Sequence, residues 1–315
     1  MTISTIVRRN KFIEFIKKLQ RDIVSNVNSV DSAHFTEDEW TRSGGGQGIS
    51  CVLQDGNVFE KAGVNISIVE STLSNAAIQQ MRSRGRLLNS GTTNLPFFAC
   101  GISLVIHPKS PKIPTVHMNY RYFEVTDATG RSIFWFGGGS DLTPMYLDKD
   151  DAIHFHEILK KACDIHNETY YPKFKKWCDE YFYIPHRKEH RGIGGIFFDD
   201  LDESMVSWDS GFEFVKSCGE AFIPSYFPIV EKHLNEPFNE KNKLWQQIRR
   251  GRYVEFNLVY DRGTKFGLAT PEGRIESILM SLPLTSRWEY CHQPEKDSEE
   301  EKLLLVLQQP VEWIE

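Results

Sequence analysis

Thr115-Val116-His117-Met118-Asn119-Tyr120-Arg121-Tyr122-Phe123 alternates residue by residue between two chemical characters. In an extended strand successive side chains point to opposite faces, so His117, Asn119 and Arg121 share one face while Val116, Met118 and Tyr120 take the other. The preceding run repeats the arrangement: Ser103 and His107 lie on one face, and Ile102, Leu104 and Ile106 on the opposite one. A third β-like run, Ser132 to Phe136, follows Thr126-Asp127-Ala128-Thr129-Gly130, which is turn chemistry. Runs spaced this closely form a hairpin and pair antiparallel.

Working outward, further strands are expected at Ser50–Gln54, Val64–Val69, Gly195–Asp199, Arg252–Tyr260 and Glu276–Leu282. Phe12, Ile16, Leu19 and Ile23 recur at helical spacing and predict an N-terminal helix over residues 1–26. Other helical stretches are expected at Ser74–Arg82, from Asp150 to about Tyr183 with a break at Pro172, at Phe212–His233 and at Lys241–Arg249. Hairpin-linked strands with helices gathered in blocks predict an α+β fold. Its centre is an antiparallel sheet of about seven strands, a usual size, flanked by helices. No repeat and no Pro/Gly/Ser-rich linker divides the chain, so residues 1–315 read as a single domain.

Composition excludes several classes. Against 37 Lys plus Arg stand 43 Asp plus Glu, a net charge of -6, so the chain has no global positive field to hold nucleic acid. An anionic ligand must be met by a local basic cleft. Six cysteines without a CxxC pair read as reduced thiols, and the chain is expected to be cytoplasmic. No apolar run approaches the length of about 18 residues that a transmembrane helix requires, and no signal peptide is read at the start.

The polar row of the central strand reads as a ligand face, because a merely solvated face favours Thr, Lys and Glu. Arg121 points to a carboxylate, which the planar guanidinium grips with two hydrogen bonds. Arg249-Arg250-Gly251-Arg252, Asp261-Arg262-Gly263-Thr264 and Pro271-Glu272-Gly273-Arg274 place more guanidinium groups at predicted strand ends and turns. The glycines of Phe136-Gly137-Gly138-Gly139-Ser140-Asp141 lack the Gly-Lys-Ser/Thr ending of a phosphate loop, but they let a flat ligand approach the backbone within reach of Asp141. His186-Arg187-Lys188-Glu189-His190 has HxxEH zinc spacing, which needs a helix that Pro185 and Gly192 argue against. No serine or cysteine nucleophile motif is present.

Together these segments resemble the oxygen-dependent coproporphyrinogen oxidase family. The resemblance runs from about Trp40 to the C-terminus and is carried by the His117–Arg121 strand, by Trp135-Phe136-Gly137-Gly138-Gly139-Ser140-Asp141-Leu142-Thr143-Pro144 and by Arg191-Gly192-Ile193-Gly194-Gly195-Ile196-Phe197-Phe198-Asp199-Asp200. Arg250-Gly251-Arg252-Tyr253-Val254-Glu255-Phe256-Asn257-Leu258 and Glu276-Ser277-Ile278-Leu279-Met280-Ser281-Leu282-Pro283 extend it. It implies a homodimer, with coproporphyrinogen III and dioxygen as substrates and protoporphyrinogen IX, carbon dioxide and hydrogen peroxide as products. It also implies that Ser103, Asn119, Tyr120, Arg121, Gly273 and Arg274 contact substrate, that His117 donates a proton, and that Asp141 faces the pyrrole NH groups. His107, His117, His156 and His186 match positions assigned a metal in bacterial members, whereas eukaryotic members are taken as metal-free. No metal or organic cofactor is expected here. Glu272 departs from the family, which has a small residue at that turn.

Overall fold

A computed structural model of the chain describes residues 3–73, 75, 78–79, 81, 95–127, 129–270 and 273–314. Helix α1 (Ile3–Val30) leads into strands β1 (Thr36–Thr41), β2 (Gln47–Gln54), β3 (Phe59–Thr72), β4 (Pro96–Pro108), β5 (Thr115–Thr126) and β6 (Ser132–Thr143). Helices α2 (Lys149–Asp164) and α3 (Tyr170–Tyr181), a small hairpin of β7 (Tyr183–Ile184) and β8 (Glu189–His190), and strand β9 (Gly195–Asp202) follow. Then come α4 (Trp208–Glu220), α5 (Phe222–His233), α6 (Glu240–Val259), α7 (Arg262–Ala269), α8 (Ile275–Leu279) and α9 (Glu299–Gln308).

The expected α+β architecture is present: β1-β2-β3-β4-β5-β6-β9 form one sheet of seven strands, every neighbouring pair antiparallel. Its membership differs from the sequence expectation. Strand β1, Thr-Glu-Asp-Glu-Trp-Thr, escaped notice because acidic residues are poor strand formers. They suit a sheet edge, where charge discourages further pairing. Arg252–Tyr260, expected as a strand, is the second half of α6, and Glu276–Leu282 lies in α8 and the turn after it. In α6 the burial of Trp245, Arg249, Tyr253 and Phe256 follows helical spacing, and a reciprocal Asn239/Asn242 capping box starts the helix. The chain between α2 and α3 breaks at residues 165–169 rather than at Pro172, which sits in the first turn of α3 where a proline is tolerated. The helix expected at Ser74–Arg82 falls largely outside the described residues.

One sheet face is the core. Tyr120, Tyr122, Phe136 and Phe12 are all fully or almost fully buried, with Phe12 from α1 reaching Tyr122 and Phe136 at ring distances of 5.7 and 6.0 Å. Each such aromatic contributes about 1.5–3 kcal/mol by leaving water. Helices α1 and α4 press on this face, and α2 and α5 pack in the same layer. Asp31, after α1, ties that layer to the β2–β3 turn, its carboxylate accepting from the backbone N–H groups of Asn57, Val58 and Phe59. The other sheet face carries a polar row beside an apolar cluster of Phe97, Phe123, Val125 and Trp135, and the C-terminal half of α6 and α8 reach the polar part.

Candidate active site

Register places the polar side chains in rows across the sheet. Asn65 of β3 is paired with Ser103 of β4, Ser103 with Asn119 of β5, and Asn119 with Gly139 of β6. His117 is opposite Asp141, and Arg121 lies between Gly101 and Gly137. Three of the sheet positions flanking Asn119 and Arg121 therefore carry no side chain, leaving bare backbone. Phe97 and Phe123, stacked at 5.3 Å, and Trp135, 4.5 Å from Phe123, wall off one end of the face. Tyr253 of α6, 5.0 Å from the His107 ring, closes over the other.

At the centre His117 Nδ1–H donates to Asp141 Oδ1 at 2.7 Å. Arg191 Nη2 donates to both Asp141 oxygens, at 3.0 and 2.8 Å, and its Nη1 donates to Asn257 Oδ1 at 2.9 Å. The Arg191 guanidinium sits 4.0, 4.7 and 4.9 Å from the rings of Phe182, Tyr253 and Phe256, a box of π-faces that suits a cation. Burial pushes the Asp141 carboxyl up, but Arg191 and His117 outweigh it and hold the group below its ordinary value. Burial would likewise lower Arg191, and Asp141 reverses that. The result is an ionised Asp141 with 2% exposure whose oxygens are already bonded. Its partner His117 has a side chain that is 19% exposed and an Nε2 with no hydrogen-bond partner among the described residues.

Beside this pair, Arg121 Nη1 donates to Asn119 Oδ1 at 2.9 Å, and Nη2 donates to Asp199 Oδ1 of β9. Asp199 Oδ2 is 3.3 Å from Arg262 Nη1 at the start of α7, and that guanidinium stacks 4.8 Å from Tyr181. Arg274, at the N-cap of α8, pairs with Asp38 of β1, and its Nε donates to Ser277 Oγ at 3.2 Å. Asn65 Nδ2 donates to the Ser277 carbonyl at 2.9 Å, tying α8 to the polar row. Gly273 and Arg274 line a cavity of about 520 Å³ with Trp40, Thr41 and Arg42. Residues 262–270 and 273–281 thus place an arginine–aspartate pair at each sheet margin.

Of the residues singled out from sequence, Ser103, His117, Asn119, Arg121 and Asp141 come together on one face, and Gly273 and Arg274 approach it across β1–β3. Tyr120 does not. Strand alternation turns its side chain into the core, fully buried, where its hydroxyl pairs with Ser140 Oγ at 3.0 Å, so that side chain does not line the cleft. Asp141 stands behind His117 instead of facing the cleft directly. The turn residue Glu272 lies outside the described residues. Sequence reasoning missed Asn65, Asp199, Asn257 and the site role of Arg191. The hairpin turn could have given the pairing of Arg121 with Gly137 and of His117 with Asp141 by counting outward, whereas Arg191 and Asn257 reach Asp141 only through the tertiary fold.

The four histidines do not assemble as a metal set. His107 is buried, its Nε2–H donating to the Ser281 carbonyl at 2.9 Å, and burial first and then nearby cations lower its pKa well below the usual range. Burial brings His156 down to about 3, with Tyr171 OH donating to Nδ1 and Nε2–H donating to the Ile193 carbonyl. His186 is exposed and bonded to Glu255 and Tyr260. The HxxEH string forms the turn and second strand of the β7–β8 hairpin, and His190 Nδ1–H donates to the Leu307 carbonyl at 2.8 Å. Among the described residues one His/Asp group, Asp148, Asp151 and His233, is close enough to share an ion, but Lys232 Nζ already lies 2.7 Å from each carboxylate. These donor sets do not fit a resident metal in the cleft.

The fold and this site define an α+β protein whose sheet carries Ser103, Asn119 and Arg121 in line with an Asp141–His117 pair that Arg191 holds. Residues 11–313 match the family described as Coproporphyrinogen III oxidase. The oxygen-dependent coproporphyrinogen-III oxidase of Drosophila melanogaster is 61% identical over 280 residues, covering 89% of this chain and 71% of the relative. The mitochondrial enzyme of that name from Rattus norvegicus is 60% identical over 307 residues, 97% of this chain and 69% of its own length. The chloroplastic one from Glycine max is 54% identical over 319 residues, 99% and 80%. This chain belongs to the coproporphyrinogen III oxidase family.

Proposed function

We propose that the chain catalyses the oxygen-dependent oxidative decarboxylation of two propionates of coproporphyrinogen III to vinyl groups, giving protoporphyrinogen IX, carbon dioxide and hydrogen peroxide in porphyrin biosynthesis. The relatives' names support this reading. The observation that carries it at the level of the site is the placement of Arg121 on the same sheet face as the Asp141–His117 pair, beside strand positions occupied by glycine. A substrate with peripheral carboxylates and a flat ring needs that combination.

Each step balances without a resident redox group. A propionate loses carbon dioxide, the electrons of the broken C–C bond form the vinyl double bond, and the equivalent of a hydride plus one proton converts dioxygen to hydrogen peroxide. Arg121 pins a propionate, Ser103 and Asn119 offer neutral hydrogen bonds alongside, and Arg274 is free to take a second carboxylate once it leaves Asp38. His117, through Nε2, is the group that holds or moves a proton at the ring, with Asp141 fixing its tautomer and Arg191 fixing Asp141. The protein thus supplies position and preset charge. No metal or organic cofactor enters this reading, and dioxygen is the co-substrate.

Two further proposals accompany it. The chain acts as a homodimer, which sedimentation analysis tests. Its compartment is the cytoplasm, supported by six free cysteines, five of them buried; the organelle names of the rat and soybean relatives set the contrary outcome of a fractionation experiment. No described helix is long and apolar enough to cross a membrane.

The enzyme assignment is tested by incubating purified protein with coproporphyrinogen in air, without air and with excess chelator, then separating the porphyrins. Protoporphyrinogen should form only in air and survive chelation. Loss on chelation with recovery on adding iron or manganese would replace the reading with a metal-dependent oxygenase. Binding without oxygen consumption would make the protein a tetrapyrrole carrier.

A further inference from the structure

We infer that Asp199 is a specificity-determining residue of the carboxylate subsite, an internal counter-ion that limits how much negative charge Arg121 and Arg262 accept from a ligand. The inference rests on the reading of Arg121 as a propionate ligand and adds a residue and a charge rule to it. Two guanidinium groups from different elements, β5 and α7, converge on one carboxylate from β9. Asp199 is mostly buried, at 13% side-chain exposure, while the two arginines are 36% and 42% exposed. The anion is therefore built in and the cations face outward.

The geometry is held from below by an absent side chain. A Cβ on Gly137 would stand 2.9 Å from Arg121 Nη2 and 3.0 Å from Asp199 Oδ1, so the ion pair occupies space that only glycine leaves open. Arg262 is held by Tyr181, whose ring lies under the guanidinium and whose hydroxyl donates to Asp261 Oδ1 at 2.9 Å. An arginine so placed is preorganised and loses little freedom on binding.

Asp199 offsets part of the positive charge that Arg121 and Arg262 present, so each further substrate carboxylate brought to these arginines also meets the Asp199 anion. Specificity built this way depends on a repulsive element as much as an attractive one. Without Asp199, two guanidinium groups would grip the same carboxylate more tightly and would discriminate less against ligands carrying extra carboxylates. A role confined to orienting Arg121 predicts the reverse, since loss of Asp199 would then weaken binding.

Coproporphyrin III, the oxidised tetracarboxylate that cannot be decarboxylated, serves as probe by fluorescence titration, with its tetramethyl ester as the uncharged control. For Asp199→Asn, which keeps shape and removes charge, Kd for coproporphyrin should fall about tenfold, the lower end of what a charge-assisted hydrogen bond gives. Binding of the ester should not change. Arg262→Gln alone should raise Kd about tenfold, and combined with Asp199→Asn it should return Kd to near the wild-type value. A rise in Kd for Asp199→Asn, toward that of Arg121→Ala, overturns the counter-ion role in favour of orientation. Unchanged Kd in both Asp199→Asn and Arg262→Gln removes the subsite from this place while wild-type binding keeps the tetrapyrrole reading intact. Absence of wild-type binding to coproporphyrin sinks both together.

Discussion

Replacing Arg191 with methionine tests whether Asp141 is held ionised in the interior. Both side chains are 2% exposed, and Arg191 spends two contacts, at 3.0 and 2.8 Å, on the Asp141 oxygens and one at 2.9 Å on Asn257. Methionine fills much of the aromatic box formed by Phe182, Tyr253 and Phe256, so the lost volume is small. What remains is a buried carboxylate facing one imidazole. Removing one partner of a buried pair costs about 3–5 kcal/mol, because the other charge is left without compensation. That is a large part of the roughly 5–15 kcal/mol that separates folded from unfolded domains. Adding Asp141→Asn removes the stranded charge, so the double variant should be more stable than Arg191→Met alone. Urea unfolding followed by tryptophan fluorescence measures all four corners of the cycle. If Arg191→Met costs less than about 1 kcal/mol, or if the double variant loses the sum of the two single losses, the carboxylate is not the charged partner that the geometry implies.

Two other outcomes follow from single contacts. Asp31 is held below its ordinary value: burial pushes it up, but the N–H groups of Ala33, Phe59, Asn57 and Val58 together outweigh that. A carboxyl whose folded pKa is depressed contributes stability that is present above its unfolded value, 3.8, and lost as pH falls below it. Asp31→Asn should therefore cost about 2 kcal/mol in thermal melts at neutral pH, and the gap to wild type should close as the pH drops through 3.8; a gap independent of pH would refute the charged cap. Gly137→Ala should raise KM severalfold while leaving stability within about 1 kcal/mol, because the new Cβ meets the mobile ends of Arg121 and Asp199 rather than backbone. A large loss of stability with unchanged KM would mean that the strand itself, and not the ion pair, needs glycine there.

The parts of the fold that sequence made legible are those where one face is buried and the other is not. In β5 every second residue from Val116 to Glu124 is buried while His117, Asn119, Arg121 and Phe123 are partly exposed, so periodicity of two is written into the residue types. The same rule failed at Arg252–Tyr260. That stretch is rich in aromatic and β-branched residues and so reads as a strand, yet it continues a helix nucleated at Asn239, more than ten residues earlier, and it packs Tyr253, Phe256 and Asn257 at helical spacing. Local preference was overridden by a helix that had already begun.

The site divides along the same line. Residues that lie on one strand, or on two strands joined by a tight turn, follow from alternation and counting; that covers His117, Asn119, Arg121 and Asp141. Residues delivered by helices and by the β7–β8 hairpin do not, because nothing local fixes where Arg191, Asn257 or Arg262 will arrive. This changes the chemistry assigned to Asp141. Read from the strand alone, a carboxylate after three glycines looks available to a ligand. Arg191 and His117 both bond its oxygens, so on the proposed reading the ligand-facing atom is His117 Nε2, and the carboxylate holds that imidazole in one tautomer and orientation. An acid–base group on such a sheet face needs a fixed anion behind it, since the imidazole, packed edge-on to Phe182 at 6.0 Å, would otherwise be free to rotate. On the proposed reading, the buried Arg191–Asp141 pair is thus what lets the partly exposed His117 imidazole act in one orientation on a substrate ring.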